Sequence, residues 1–186
     1  DIDGSIMGTL FVDNIKQQSS QGSGTITIGA SGETVGLASG VVQSNLLTPA
    51  FQAYRTSYQS IANNTETKVQ NNIELFDTDN AYDNSTNYRF TVPSGKAGKY
   101  LIGIGNTIDN VTDGTYVISR LKKNGSNLKM VIQTSSGGYP LSTQLTFIDD
   151  ASVGDYYESW VLHIDGSTSS LRTEYTNYFW MTRLGT

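Results

Sequence analysis

His163 is the only histidine in 186 residues, and there is no cysteine. Thiolate nucleophiles, disulfides, cysteine-ligated zinc or iron–sulfur sites and multi-histidine metal centres are therefore excluded. His163 remains the one imidazole available for acid–base work. Period-two alternation puts it on the face of Val161, opposite Trp160 and Leu162. Ser159 lies four residues earlier, and no Gly-x-Ser-x-Gly elbow occurs anywhere. His163 reads as a satisfied or surface histidine. No catalytic residue is assigned, and the chain is read as a non-enzyme.

Hard oxygen donors form one array of interest. Asp77-Thr78-Asp79-Asn80 with Asp83 has D-x-D-N-x-x-D spacing, which suits calcium. It departs from an EF-hand, with no Gly at the sixth position and no Glu at the twelfth. Asp77, Asp79, Asn80 and Asp83 are the calcium candidates, turn capping is their simpler role, and no other cofactor is expected. Asp149-Asp150 follows an apolar strand end and reads as a solvated turn. Four Asn-x-Ser/Thr sequons begin at Asn63, Asn84, Asn110 and Asn124. With 14 Asn, 21 Ser and 22 Thr among 186 residues, about three are expected by chance, so they carry no argument for secretion.

Ligand contact is better suggested by aromatics. Tyr156, Tyr157, Tyr175, Tyr178, Phe179 and Trp180 crowd two segments near the C-terminus. Alternation sends half of them inward and leaves Tyr157, Tyr178 and Trp180, or their opposites, for another surface. There they stack on sugar faces or pack against another subunit.

The elements that position these residues are strands. Lys+Arg 12 against Asp+Glu 17 gives a net charge of −5, which disfavours nucleic acid and anionic membrane surfaces. Charged residues are only 16% and Gly number 19, in a chain rich in Asn, Ser and Thr and poor in helix formers. No apolar run reaches the ~18 residues of a membrane span, so no membrane insertion is expected. Asp1–Ile6 ahead of Met7 read as a remnant of expression, with Met7 as the natural start. Residues 7–46 hold short apolar pieces, such as Thr25–Ile28 with both Ile on one face, between Gly and Ser. From about residue 47 the turns become regular. Phe51 and Ala53 alternate on one strand face, and Tyr100–Ile104 reads as a buried strand. Asn124-Gly125 joins Thr115–Lys123 to Leu128–Thr134 through a type I′ turn. Gln144–Ile148, Asp155–Ile164 and Glu174–Leu184 follow. In Asp155–Ile164, Tyr156, Trp160, Leu162 and Ile164 share one face that Glu158 interrupts. Turns every 10–15 residues suit a sandwich or jelly roll.

Several of these residues form a spaced pattern. Phe76, Asn80, Tyr82-Asp83, Phe90-Thr91-Val92-Pro93 and Gly98-Lys99-Tyr100 resemble, in order, the signature of the complement C1q globular-head family. Ala50–Tyr54 resembles its opening strand, Val153-Gly154-Asp155 its Gly-Asp step, and Phe179–Leu184 its closing strand. The likeness covers about residues 48–186. It implies a ten-stranded all-β jelly roll related to tumour necrosis factor, assembled as a homotrimer with ligands on outer loops. It also implies packing roles for Phe51, Phe76, Tyr82, Phe90, Tyr100 and Phe179, in the core or between subunits, and keeps calcium open, since some such heads bind it. Asn87-Tyr88 stands where the family usually has a Gly, and Ser94–Ala97 is longer than the usual turn.

Residues 10–15 and 24–35 resemble the leader of tail-fibre and other virion proteins of tailed phages. That implies two parts. Residues 1–46 are a stalk that aligns the trimer and contacts other virion proteins, and residues 47–186 are a head. The implied function is a virion fibre whose head binds a glycan or protein on the host surface. A decoration protein that stabilises the particle is the alternative. A secreted C1q-like lectin is disfavoured by the missing collagen repeats, cysteines and signal peptide.

Overall fold

The computed structural model describes residues 49–137, 139–173 and 176–185. The expectations for the stalk, including the strand at Thr25–Ile28, lie outside the described residues, as does Tyr175. The chain divides into two units at Val42/Gln43, and the described residues all belong to the second.

Thirteen strand segments run β1 Ala50–Tyr54, β2 Gln59–Ile61, β3 Thr67–Lys68, β4 Ile73–Asp77, β5 Tyr82–Asp83, β6 Arg89–Thr91 and β7 Gly98–Ile108. They continue with β8 Tyr116–Lys123, β9 Ser126–Thr134, β10 Leu141–Ala151, β11 Tyr156–His163, β12 Ser169–Leu171 and β13 Tyr178–Gly185. Two antiparallel sheets form a sandwich. In the first, β10 lies beside β7, followed by β13, β1 and β4, with β12 and β2 continuing from the end of β7. In the second the order is β5-β6-β11-β8-β9, with β3 also on β11. Among the described residues β9 pairs only with β8 and β10 only with β7, so each is an edge strand.

Positive-φ residues divide the strands. Asn124 at 52° and Gly125 at 78° give the expected type I′ turn between β8 and β9. Tyr88 takes φ 49°, a left-handed conformation that favours glycine, at the position where the resemblance leads one to look for Gly. The turn before it is held by Asp83, whose carboxylate accepts N–H groups from Ser85, Thr86 and Asn87.

Inward positions fill two apolar clusters. One is aromatic: Phe51 stacks on Tyr82 at 4.6 Å and Phe90 at 5.0 Å, with Phe179 edge-on at 4.9 Å. Ile102, Ile104, Leu121 and Met181 complete it. The other gathers Ile61, Ile108, Val111, Val117, Val161 and Leu171. Between them the register places Asn106 opposite Thr143 and Ser119 opposite Val161, with Ser159 inward two residues before Val161, so β7, β8, β10 and β11 each contribute one polar residue. The Asn106 amide donates to Ser119 Oγ at 2.8 Å, and the Ser119 and Thr143 hydroxyls meet at 2.5 Å. This seam corrects the expectation for β11. Its inward residues are Tyr157, Ser159, Val161 and His163, and Trp160 and Leu162 face outward. Ser159 and His163 can be buried because each finds polar partners there.

Candidate functional site

Each expected site residue has a definite place. Tyr157 belongs to the core, not to an outer surface. Its hydroxyl donates to Asp149 Oδ2 at 2.6 Å, and Lys123 Nζ stands 5.5 Å from its ring centroid. Burial, and then the Asp149 carboxylate, push its phenol above the ordinary range. Tyr178 and Trp180 do face outward, on the first sheet, so the three aromatics are not brought together. Phe51, Phe90, Tyr100 and Phe179 are fully buried and Tyr82 nearly so. Phe76 is outside the core of the single chain, 46% exposed. A register shift between Gln52 and Ala53 pairs Phe76 with outward-facing Gln52, which turns its ring away from the interior.

Tyr178 and Trp180 owe their position to glycines across the strand pair. Trp180 pairs with Gly103 and Tyr178 with Gly105. The indole and phenol rings lie flat where Cβ atoms would stand, so a side chain at either glycine would collide with a ring. Around them the outward positions are Gln52 and Tyr54 on β1, Leu101 on β7, Gln144, Thr146 and Ile148 on β10, and Thr182 on β13. None carries a charge. Leu75, 64% exposed, borders an apolar hollow of about 210 Å³ with Gln52, Tyr54 and Tyr178.

The second sheet presents the reverse. Trp160 stands between Lys68 and Arg120 in register, with Lys122 Nζ 4.1 Å and Lys68 Nζ 5.5 Å from its ring centroid. Its indole N–H donates to Glu158 Oε2 at 3.1 Å, and Lys68 Nζ reaches Glu158 Oε1 at 2.6 Å. Glu66 pairs with both Arg120 and Lys122 at 2.6 Å. The carboxyl of Glu66 feels burial first, which raises it. The hydrogen bonds from Lys122 and Arg120 outweigh that and hold it below its ordinary value. Five charges thus clasp β3 to β11 and β8 around one indole. Sequence reasoning passed over this group, since Glu66 and Lys68 are some 90 residues from Glu158 and no local pattern links them.

The acidic array is committed to turns. Asp77 accepts the N–H of Asp79 at 3.2 Å and of Tyr82 at 2.8 Å. Asp83 is held far below the usual carboxylate range, first by the Thr86 N–H, then against burial by Ser85 and Asn87. Asp79 accepts the Thr78 hydroxyl and lies 3.7 Å from Lys96 Nζ, and Asn80 has φ 51°. Among the described residues no group of three or more His, Asp or Glu is disposed to hold a metal ion. His163 is fully buried. Its Nε2 pairs with the Ile61 carbonyl at 2.9 Å, and its Nδ1 accepts the Asp165 N–H at 3.3 Å. Both ring nitrogens are taken, leaving no lone pair for a substrate.

Two antiparallel sheets in this order form an architecture that solved structures share. The globular domain of zebrafish complement 1qA superposes with a TM-score of 0.51 at 17% identity, covering 74% of this chain and 98% of that one. The described residues form a C1q/TNF-like jelly roll. Eiger, a tumour necrosis factor from S. frugiperda, gives 0.55 at 12% identity over 76% of this chain and 94% of its own. Murine APRIL gives 0.56 at 12% identity over 73% and 98%. At these identities the likeness is one of fold. No family model matches the sequence, and a search of curated proteins by sequence returned no match. In this jelly roll the expected ten strands appear as thirteen segments, because short pieces such as β2, β3, β5 and β12 accompany the long ones.

Proposed function

We propose that this chain is a virion protein, a fibre of a tailed phage whose jelly-roll head assembles as a homotrimer and attaches the particle to the host cell surface. The observation that carries the assembly is the centre of the first sheet's outer face, which carries no charge inside the Lys99–Asp150 margin, with Trp180 and Tyr178 seated on Gly103 and Gly105. Trp180, Tyr178, Tyr54, Leu101 and Ile148, interleaved with amides and hydroxyls and with no charge among them, support an interaction site there. A second, different group of exposed apolar side chains, Met130 and Ile132, lies on the free edge strand β9. A face meeting an unlike edge makes a heterologous contact, which gives a ring when the rotation closes and a filament when it does not, rather than a two-fold dimer. Three members is the number that the C1q resemblance implies.

The leader resemblance of residues 1–46 supports attachment to other virion proteins, and the net charge of −5 disfavours nucleic acid as a partner. A binding role without catalysis is supported by the committed nitrogens of His163. Competition against adsorption tests the reading. Purified protein added to host cells should block adsorption of the parent phage in a dose-dependent way. Undiminished adsorption at saturating protein would overturn host attachment and leave a decoration role.

A further inference from the structure

The chain enters the sandwich at Ala50, beside Thr182, and Gly98 faces Ala151 at the same end. β1 ends at Tyr54, β7 at Ile108 and β11 at His163, so the loops that follow them meet at the opposite pole. There they enclose a pocket of about 240 Å³, lined among others by Tyr58, Asp109, Asn110, Asp165, Ser167 and Thr168. Tyr58 is 56% exposed, so its ring is accessible at the pocket.

The pocket walls are tied together by hydrogen bonds, most of them between a side chain and backbone, and by one ion pair. Asp109 N–H donates to the Ser170 carbonyl at 2.9 Å, and the Ser169 hydroxyl donates to the Asp109 carbonyl. Asp165 accepts the Thr112 N–H, its own N–H reaches His163 Nδ1, and Gly166 N–H donates to Asn63 Oδ1 at 2.8 Å. Arg172 Nε lies 3.2 Å from Asp109 Oδ1. Buried His163 is thus a positioning residue, fixing two loops through its two nitrogens. A preorganised pocket loses little entropy on binding.

From this geometry we infer that the pole opposite the point of chain entry is a binding site for a neutral saccharide, an inference that rests on host attachment as the function. The Tyr58 ring offers an apolar face to the C–H side of a pyranose. Around it the carboxylates of Asp109 and Asp165, the exposed Asn110 amide and the Ser167 and Thr168 hydroxyls present the acceptors and donors that sugar hydroxyls require. The volume lies just under the ~300 Å³ at which drug-sized pockets begin, which suits one ring with the rest of an oligosaccharide outside. Asp165 gives the lining a negative charge beside the Asp109–Arg172 ion pair, which disfavours sulfated and uronic-acid sugars. Tyr178 and Trp180, expected to meet either a ligand or another subunit, lie on the outer face assigned above to assembly.

The full chain would be tested against immobilised dextran, mannan and a galactan, with heparin and alginate as anionic probes. At least one neutral polymer should bind and neither anionic one should. Tyr58→Ala should weaken binding about tenfold, and Tyr58→Phe should keep it within about twofold, since the ring face does the stacking. Asn110→Gly, which suits the φ of 52°, should weaken binding with no change in melting temperature. Binding only to anionic polymers, binding to none, or equal binding by Tyr58→Ala would overturn the inference. The adsorption assay separates the two readings. If wild-type and Tyr58→Ala proteins block adsorption equally, attachment stands and this pocket is not its site; if wild-type protein does not block, attachment itself fails.

Discussion

The outer faces of the two sheets are made by the same alternation and have opposite chemistry. On the first, glycines let Trp180 and Tyr178 lie flat, and no outward position on β1, β13 or the centre of β7 and β10 is charged. On the second, an indole of the same kind is ringed by Lys68, Lys122, Arg120, Glu66 and Glu158. A fully solvated β face gains nothing from lacking charge, and it invites association. A face meant to stay wet places ion pairs over its aromatics, and each lysine stem covers apolar surface while its head stays in water. On the proposed assembly, the difference separates a surface for copies of the same chain from the ion-paired patch around Trp160.

The largest effect should come from charging the first face. Trp180→Asp is expected to dissociate the assembly to single chains by light scattering, with the circular dichroism of strands retained. Trp160→Asp on the second face should leave the assembly intact, and dissociation by both variants would erase the distinction. Gly103→Val should have an intermediate effect. The added side chain displaces the Trp180 ring, so the assembly should weaken by at least about tenfold in concentration while the single-chain fold persists. Next, Glu158→Gln should cost roughly 1–3 kcal/mol in urea unfolding, because Glu158 is buried and Lys68 loses its partner.

Smaller effects belong to the turns. Asp83 is depressed in the folded chain, so its contribution is present above the unfolded value near pH 4 and fades as pH falls below it. Asp83→Asn should therefore lower stability by about 1 kcal/mol at pH 7 and flatten the acid side of the melting curve. Chelation of calcium should leave the melting temperature unchanged, since Asp77 and Asp83 already serve backbone N–H groups. A rise in melting temperature on adding calcium would assign the array to the ion.

What the sequence could say depended on whether a pattern was local. Phe51 and Ala53 on β1, the Asn124-Gly125 turn and the Phe90 to Tyr100 spacing are local, and the jelly roll follows from them. The alternation of β11 was legible, but which face turns inward was not, and Tyr157 was set on another surface although it lies in the core. The polar seam that accepts Ser159 and the carbonyl that receives His163 come from strands distant in sequence. Phe76 was read as packing in the core or between subunits, and a register shift in the neighbouring strand pair takes it out of the core. Glycines at 103 and 105 were visible, but their purpose appears only once β13 lies beside β7. The polar pocket could not be foreseen, since its walls come from loops separated by up to about a hundred residues.

The central claim is that the uncharged face is covered by further copies of this chain. Sedimentation velocity of the full wild-type protein over a dilution series tests it most directly. The account predicts one species of about three times the single-chain 20.2 kDa, converted to single chains by Trp180→Asp and unaffected by Trp160→Asp. A wild-type protein that sediments as a single chain at every concentration would contradict it.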